Sequence, residues 1–347
     1  MLTEMAWAEP QYSRAEVDAA GATLIDDAAP RDAYENALTV INNWRSSHAF
    51  PLNTFQVYLR NRARAIDPKS LIAQRVKRLS SIDQKLRRFE WLRLSEMQDI
   101  GGCRAVVSSV RRVNQVVKAY KQSSLKHKLV DEDDYIRHPK RSGYRGYHLM
   151  YRYHSGKKTT YNDLKIEIQL RSPLQHAWAT AVETVGTFIQ QALKSSLGEQ
   201  DWLRFFALMG TEIALRERTT AVPDTPTNAA DLRKELREFA AMLDVEGRLR
   251  AYGAALRAVT QPGLSGAKYY LLSLDLSAHR ITVMRYRAVD LETATRDYLN
   301  IEREIRGKAG ADAVLVSVES LTALRRAYPN YFLDTSVFLN EVGRAIS

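Results

Sequence analysis

Apolar residues return at helical spacing through Ala37, Leu38, Val40, Ile41 and Trp44, which predicts a helix over Asp32–Trp44. Residues 1–30 before it are weakly patterned and read as a short arm. A second helix is predicted over Thr54–Ile66, exposing Arg60, Arg62 and Arg64. Pro68 is expected to open a third, with Ile72, Val76, Leu79, Ile82 and Leu86 as its buried stripe. Arg75, Lys77, Arg78, Ser81 and Lys85 fall on its other side. The pattern then shortens. Strands are predicted at Cys103–Val107, Leu129–Ile136, Tyr147–Tyr153 and Leu164–Leu170, with a helix over Val110–Tyr120. Pro139 and Gly143 mark the loop between the second and third strands.

Ser172-Pro173 begins another helix, followed by helices at Glu199–Arg218 and Ala229–Val259. Gln261-Pro262-Gly263 and Ser265-Gly266 form a boundary. Beyond it, strands at Tyr269–Leu276, Ile281–Tyr286 and Val314–Val318 alternate with helices at Leu291–Ile305, Leu321–Arg326 and Ser336–Ile346. The chain thus divides into an arm (1–30), a larger unit (31–260) and a C-terminal unit (261–347). The fold class is α+β: a mixed β-sheet flanked by helices, then a small α+β domain.

The formal charge of +11 over 347 residues points to a polyanionic partner, although a well-solvated basic surface gives the same sum. The single cysteine, Cys103, excludes an internal disulfide and a cysteine-based zinc finger within one chain. With no long apolar run and no leader pattern at Met1, the expectation is a soluble cytoplasmic protein without membrane contact.

The chemistry concentrates between Met97 and Ala179. Asp99 and Arg104 bracket a glycine pair at the mouth of an apolar strand. Glu167 and Gln169 sit at period two and share one strand face, with Ile166, Ile168 and Leu170 on the other. Two carboxylates are hard ligands suited to Mg²⁺ completed by substrate phosphates. Arg75, Lys77, Lys85 and Arg104 supply cations for those phosphates. Glu167 is the candidate general base, and Tyr144, on a flexible turn after Gly143, a candidate for stacking on a nucleobase. Singly, each has an ordinary structural reading; their order along the chain favours a metal–polyphosphate site.

These residues resemble the synthetase domain of the RelA/SpoT alarmone synthetases over roughly residues 50–220. Arg75-Val76-Lys77 with Ser81-Ile82 and Lys85 resembles the family's ATP-binding helix, and Asp99-Ile-Gly-Gly-Cys-Arg104 its metal-binding strand. Asp134 through His148 resembles the acceptor loop, and Glu167-Ile168-Gln169-Leu170-Arg171 the catalytic strand. The resemblance implies a nucleotidyltransferase-like domain that moves the β,γ-pyrophosphate of ATP to a ribose 3′-hydroxyl. On it, Asp99 and Glu167 hold Mg²⁺ and Glu167 activates the hydroxyl. Arg75, Lys77, Ser81, Lys85 and Arg104 bind ATP, while Lys140, Tyr144, His148 and Gln169 meet the acceptor. Gly146 departs from the serine of nucleotide-specific members, which leaves the acceptor open. The hydrolase half's His-Asp dipeptide is absent from the sequence.

Lys268–Ser347, with Tyr328-Pro-Asn-Tyr331, resembles the antitoxin half of CapRel-type fused toxin–antitoxin proteins. That resemblance implies a zinc-free pseudo-zinc-finger domain that closes the ATP site through Tyr328 and Tyr331. It also implies a toxin acting on the 3′ CCA end of tRNA in phage defence, and a phage capsid protein as trigger. A turn with two packed aromatics is the plainer reading of the same four residues. GDP or GTP is the alternative acceptor. Arg60, Arg62, Arg64, Lys118, Lys121, Lys126 and Lys128 exceed what one nucleotide needs and suit a tRNA backbone.

Overall fold

The computed structural model describes residues 7–192, 199–254, 257–260, 266–308 and 310–347. In chain order, α1 (Arg14–Ile25), α2 (Arg31–Ser47) and α3 (Ala49–Ile66) precede β1 (Leu71–Val76) and α4 (Leu79–Arg88). Then come β2 (Gly101–Val106), α5 (Val110–Lys121), β3 (Lys128–Asp134), β4 (Tyr147–Arg152) and β5 (Lys165–Arg171). Four helices follow: α6 (Pro173–Ala192), α7 (Glu199–Glu217), α8 (Ala229–Met242) and α9 (Val245–Ala254). The last part holds β6 (Arg257–Thr260), β7 (Tyr269–Asp275), β8 (Arg280–Tyr286), α10 (Leu291–Ile305), β9 (Ala311–Ser317), α11 (Leu321–Ala327) and α12 (Ser336–Ile346).

The fold is α+β, with helices flanking a mixed sheet ordered β3-β4-β5-β2-β1-β9-β7-β8-β6 among the described residues. Pairs β2–β5 and β6–β8 are parallel and the others antiparallel. The sheet passes through the expected boundary near residue 261, because β9 pairs with β1 through Gln74↔Ser317 and Arg75↔Val316. One apolar cluster spans that seam, joining Leu71, Ala73 and Val106 to Leu272, Val314, Val316, Tyr328 and Tyr331. A second joins Phe205 and Leu236 of the helical layer to Phe338 and Val342 of α12. Gln261–Ser265 lie outside the described residues.

Three expectations are corrected. Residues 14–25 form a helix with a Ser13/Glu16 capping box, and Val17 and Leu24 pack in one cluster with Leu38 and Ile41. Ser-x-x-Glu is a sequence signal for that start which the weak hydrophobic stripe hides. The stretch expected as one helix from Pro68 is strand β1 followed by α4, which begins at Leu79. β1 lies between β2 and β9, and a strand with apolar side chains on both faces reads as a continuous run rather than an alternation. Ile72, Val76 and Leu79 therefore copied a helical stripe by accident. The helix expected over Ala229–Val259 breaks at Asp244, whose φ is 45°, and ends before β6.

Candidate active site

Glu167 and Gln169 alternate with buried Ile166, Ile168 and Leu170 along β5, as their spacing requires. Antiparallel β4 sets His148 opposite Gln169. The Glu167 carboxylate is held at both oxygens: His148 Nδ1 lies 2.8 Å from Oε1, and Gln169 Nε2 donates to Oε2 at 2.7 Å. His148 Nε2 stands 2.6 Å from the Tyr144 hydroxyl, to which Arg171 Nη2 also donates at 2.9 Å. Burial works against a charged His148, but Tyr144 and Glu167 outweigh it and raise the imidazole to about 9. Burial likewise opposes an ionised Glu167; His148 outweighs it and lowers the carboxyl below its ordinary value. Tyr144 is also lowered, Arg171 and His148 overcoming burial.

The turn carrying Tyr144 is pinned, contrary to the expectation of flexibility. Gly143 has φ +93°, and a Cβ there would meet the Phe206 carbonyl oxygen at 2.6 Å and the Trp178 ring at 2.9 Å. The Tyr144 ring stands edge-on to Tyr135, His148 and Trp178. Lys140 Nζ sits 4.3 Å from the Tyr135 ring centre and 5.7 Å from that of Tyr144.

Asp99 precedes β2, which runs parallel to β5 with Gly102 in register with Glu167. Its oxygens take Lys77 Nζ at 2.7 Å and Lys85 Nζ at 2.9 Å. Burial opposes the charge, but the two ammonium groups hold the carboxyl far below the usual range. Asp99 in turn acts electrostatically on Glu167, so the two acids share one field. Of the glycine pair, Gly101 is the one packing demands: a Cβ would meet Ile166 Cδ1 at 2.7 Å. Among the described residues no group of three or more His, Cys, Asp or Glu is placed to hold a metal by itself. Two carboxylates of one field fit Mg²⁺ bound jointly with phosphates, which also offer Lys77 and Lys85 a new partner.

The remaining cations meet the C-terminal region. The Arg104 guanidinium lies 5.3 Å from the Tyr328 ring centre and donates to the Ala327 carbonyl. Arg78 Nη1 donates to the Tyr331 hydroxyl at 2.9 Å, and Arg78 pairs with Asp312. The Tyr328 hydroxyl donates to the Gln74 carbonyl at 3.0 Å. Both tyrosines are buried. Arg75, on the strand, lies in the electrostatic field of Glu183, Tyr328 and Tyr331, which raise its pKa despite burial. Ser81, in the first turn of α4, lines a polar cavity of about 1000 Å³ together with Arg78, Asp312 and Tyr331. Behind it, Glu302 of α10 accepts from the Leu79 amide at 3.0 Å and forms a buried pair with Arg45 at 2.8 Å. Burial works against the Arg45 charge, but Glu302 and Tyr298 raise its pKa.

Thus Glu167, Gln169, His148 and Tyr144 come together, as do Asp99, Lys77 and Lys85. Tyr328 and Tyr331 lie on Arg104 and Arg78. The sequence reading gave Arg171 no role although it ends the quoted strand motif. It also missed Arg45, Glu302 and Asp312, which meet the site only through long-range packing.

Residues 74–186 match the region found in RelA / SpoT proteins. That stretch contains both carboxylates and the bonded set Tyr144, His148, Gln169 and Arg171. The chain is 35% identical over 115 residues to the GTP pyrophosphokinase YjbM of Bacillus subtilis (strain 168), covering 33% of this chain and 54% of that protein. It therefore spans about half the length of the curated relative it matches. Small alarmone synthetase 2 of Bacillus subtilis is a similar solved structure, 24% identical with a TM-score of 0.39, covering 62% of this chain and 98% of that one. Small alarmone synthetase 1 of Bacillus subtilis, bound to its product pppGpp, gives 23% and 0.37, covering 58% and 93%. Among the described residues no helix is long and apolar enough to cross a membrane.

Proposed function

We propose that this chain is an ATP-dependent pyrophosphokinase whose acceptor is a guanine nucleotide, GDP or GTP. The observation that carries the reading is the Glu167 carboxylate, held at both oxygens within the field of Asp99 inside the RelA/SpoT stretch. The matched relative's description as a GTP pyrophosphokinase supports the acceptor. In the reaction, the acceptor's 3′ oxygen attacks the β-phosphorus of ATP, its proton passes to Glu167, and AMP leaves with the bridging oxygen. Asp99 and Glu167 would hold Mg²⁺, which screens the phosphate charges. His148 and Gln169 fix the angle of the carboxylate, and Lys77, Lys85, Arg75 and Arg104 take the phosphates with Ser81 beside them. Lys140 and Tyr144 border the acceptor.

The 3′ CCA end of tRNA is the second reading, favoured by the exposed Lys118, Lys126 and Lys128. Other basic residues expected to serve tRNA are engaged: Arg60 and Arg64 pair with Glu319, and Lys121 with Glu132. On either reading the turn through Tyr328 and Tyr331 would keep ATP out until that turn is moved aside. A phage capsid protein as the agent of release, and phage defence as the purpose, extend this proposal through the CapRel-type resemblance.

The test incubates wild type and Tyr331→Ala with ATP labelled at the γ-phosphate, Mg²⁺, and either GDP or bulk tRNA. Label moving to GDP supports the first reading; label on tRNA, with a steep fall as salt rises, supports the second. No transfer to either by the opened variant overturns the pyrophosphokinase.

A further inference from the structure

Arg171 ends β5 and shares its face with Glu167 and Gln169 by period-two spacing. The residue is only 5% exposed. Its Nη2 donates to the Tyr144 hydroxyl at 2.9 Å, and the guanidinium carbon lies 5.2 Å from the Tyr144 ring centre. Nε and Nη1 have no hydrogen-bond partner among the described residues. A buried cation bonded to a phenol through one nitrogen costs more than a packed apolar side chain would in its place. Filling space does not account for an arginine here.

What an apolar side chain could not do is hold the phenol. A guanidinium only donates, so the Tyr144 oxygen must accept from it. The other hydrogen-bond neighbour of that oxygen among the described residues is His148 Nε2, 2.6 Å away. One hydrogen lies between those two atoms. Whichever of them carries it, His148 Nδ1 keeps its own hydrogen for Glu167 Oε1, at 2.8 Å. Three contacts thus run in line from a cation that never loses its charge to the carboxylate read above as the base. Without Arg171 the phenol is free to turn, and His148 loses the support behind it. A carboxylate set at the wrong angle to its hydroxyl is a poor base however well the substrates bind.

We propose that Arg171 is a positioning residue for the pyrophosphotransfer: through Tyr144 and His148 it holds the Glu167 carboxylate at the angle that meets the acceptor hydroxyl. The role rests on the pyrophosphokinase reading; the line of contacts does not. Arg171 takes no proton in the reaction and acts only through its neighbours.

The test has one arm with turnover and one without. In the full chain opened by Tyr331→Ala, Arg171→Met should lower kcat for AMP release about 30-fold and leave the KM for ATP within about twofold. Arg171→Lys, which keeps a charged donor, should recover at least about threefold of that loss. Tyr144→Phe removes the link, so adding Arg171→Met to it should lower kcat by less than about twofold more. Losses that multiply, or a fall in urea stability with kcat unchanged, would overturn the proposal. The second arm labels the full chain with ¹⁵N-histidine and follows the His148 ring by NMR, assigned by its loss in His148→Gln. Its Nε2 resonance should move on Arg171→Met, and should not move when the same change is made in Tyr144→Phe. A His148 ring that ignores Arg171→Met overturns the inference itself. No AMP release by the opened parent overturns the pyrophosphokinase reading instead, and the role with it.

Discussion

The two halves of the candidate site satisfy their polar groups in opposite ways. On the acceptor side, Arg171, Tyr144, His148, Gln169 and Glu167 bond to one another within the RelA/SpoT stretch. On the side proposed for ATP, Arg78 and Arg104 take their partners from the C-terminal region: Tyr331 and Asp312 for one, the Ala327 carbonyl and the Tyr328 ring for the other. A closed network holds its geometry with or without a substrate, which is what a positioned base requires. A borrowed set holds only while the lender stays. Clustered arginines in a chain of net charge +11 need counter-groups, so on the proposed function phosphate and the C-terminal turn would compete for one set of cations.

The largest effect should come from the self-contained half. Glu167→Gln keeps the shape but removes the base, and AMP release should fall about 10³-fold in either the closed or the opened protein. Loss of less than tenfold would move the base elsewhere.

Next comes the buried tie between α2 and α10 of the C-terminal region. Glu302→Ala leaves the Arg45 guanidinium buried without its carboxylate and should cost about 3–5 kcal/mol in urea unfolding. Arg45→Met with Glu302→Leu should recover most of that, since a buried pair is worth little more than packed side chains. A negligible cost for the single change would mean that α10 already stands off the α2 face.

Acid should weaken the fold through His48, whose Cβ lies beside Gly101 at the start of β2. Burial pushes His48 down to about 4, although its Nδ1 donates to the Trp44 carbonyl at 2.7 Å. Unfolding restores the ordinary value near 6.5, so between pH 6.5 and 4 the unfolded chain binds a proton that the folded chain refuses. Stability falls as pH drops, by about 2–3 kcal/mol between pH 7 and 4.5. His48→Asn should remove that share of the slope, the remainder coming from His176, which burial also holds well below its ordinary value; an unchanged slope in thermal melts would assign all of it to groups other than His48.

The smallest effect tests the loan directly. Tyr331→Ala should raise affinity for a non-hydrolysable ATP analogue about tenfold by removing a tethered competitor. Calorimetry that finds the affinity unchanged would end the closure model.

Most of the acceptor half was legible, because period-two spacing alone places Glu167 with Gln169 and a neighbouring strand supplies His148. Three elements were not. β1 reads as a helix because Ile72, Val76, Leu79, Ile82 and Leu86 keep helical spacing across a real strand-to-helix break. Tyr144 reads as sitting on a flexible turn because the contacts that lock Gly143 come from Trp178 and Phe206, far along the chain. The α10 tie was invisible for the same reason: Glu302 and Arg45 are 257 residues apart, and nothing local marks either as buried. The aromatic cluster at Tyr328–Phe332 was visible as a cluster; only folding showed which arginines it meets.

The strand join at Gln74 and Arg75 decides what happens if the C-terminal region is cut away. A chain ended at residue 260 would lack β9 and leave β1 with an open row of amides and carbonyls, ready to pair with a neighbouring molecule. It would also lose Phe338 and Val342 from the helical layer, uncovering apolar surface there. Such a fragment should precipitate rather than run unchecked. On the closure proposal, release would therefore swing the Tyr328–Tyr331 turn aside while the sheet stays whole.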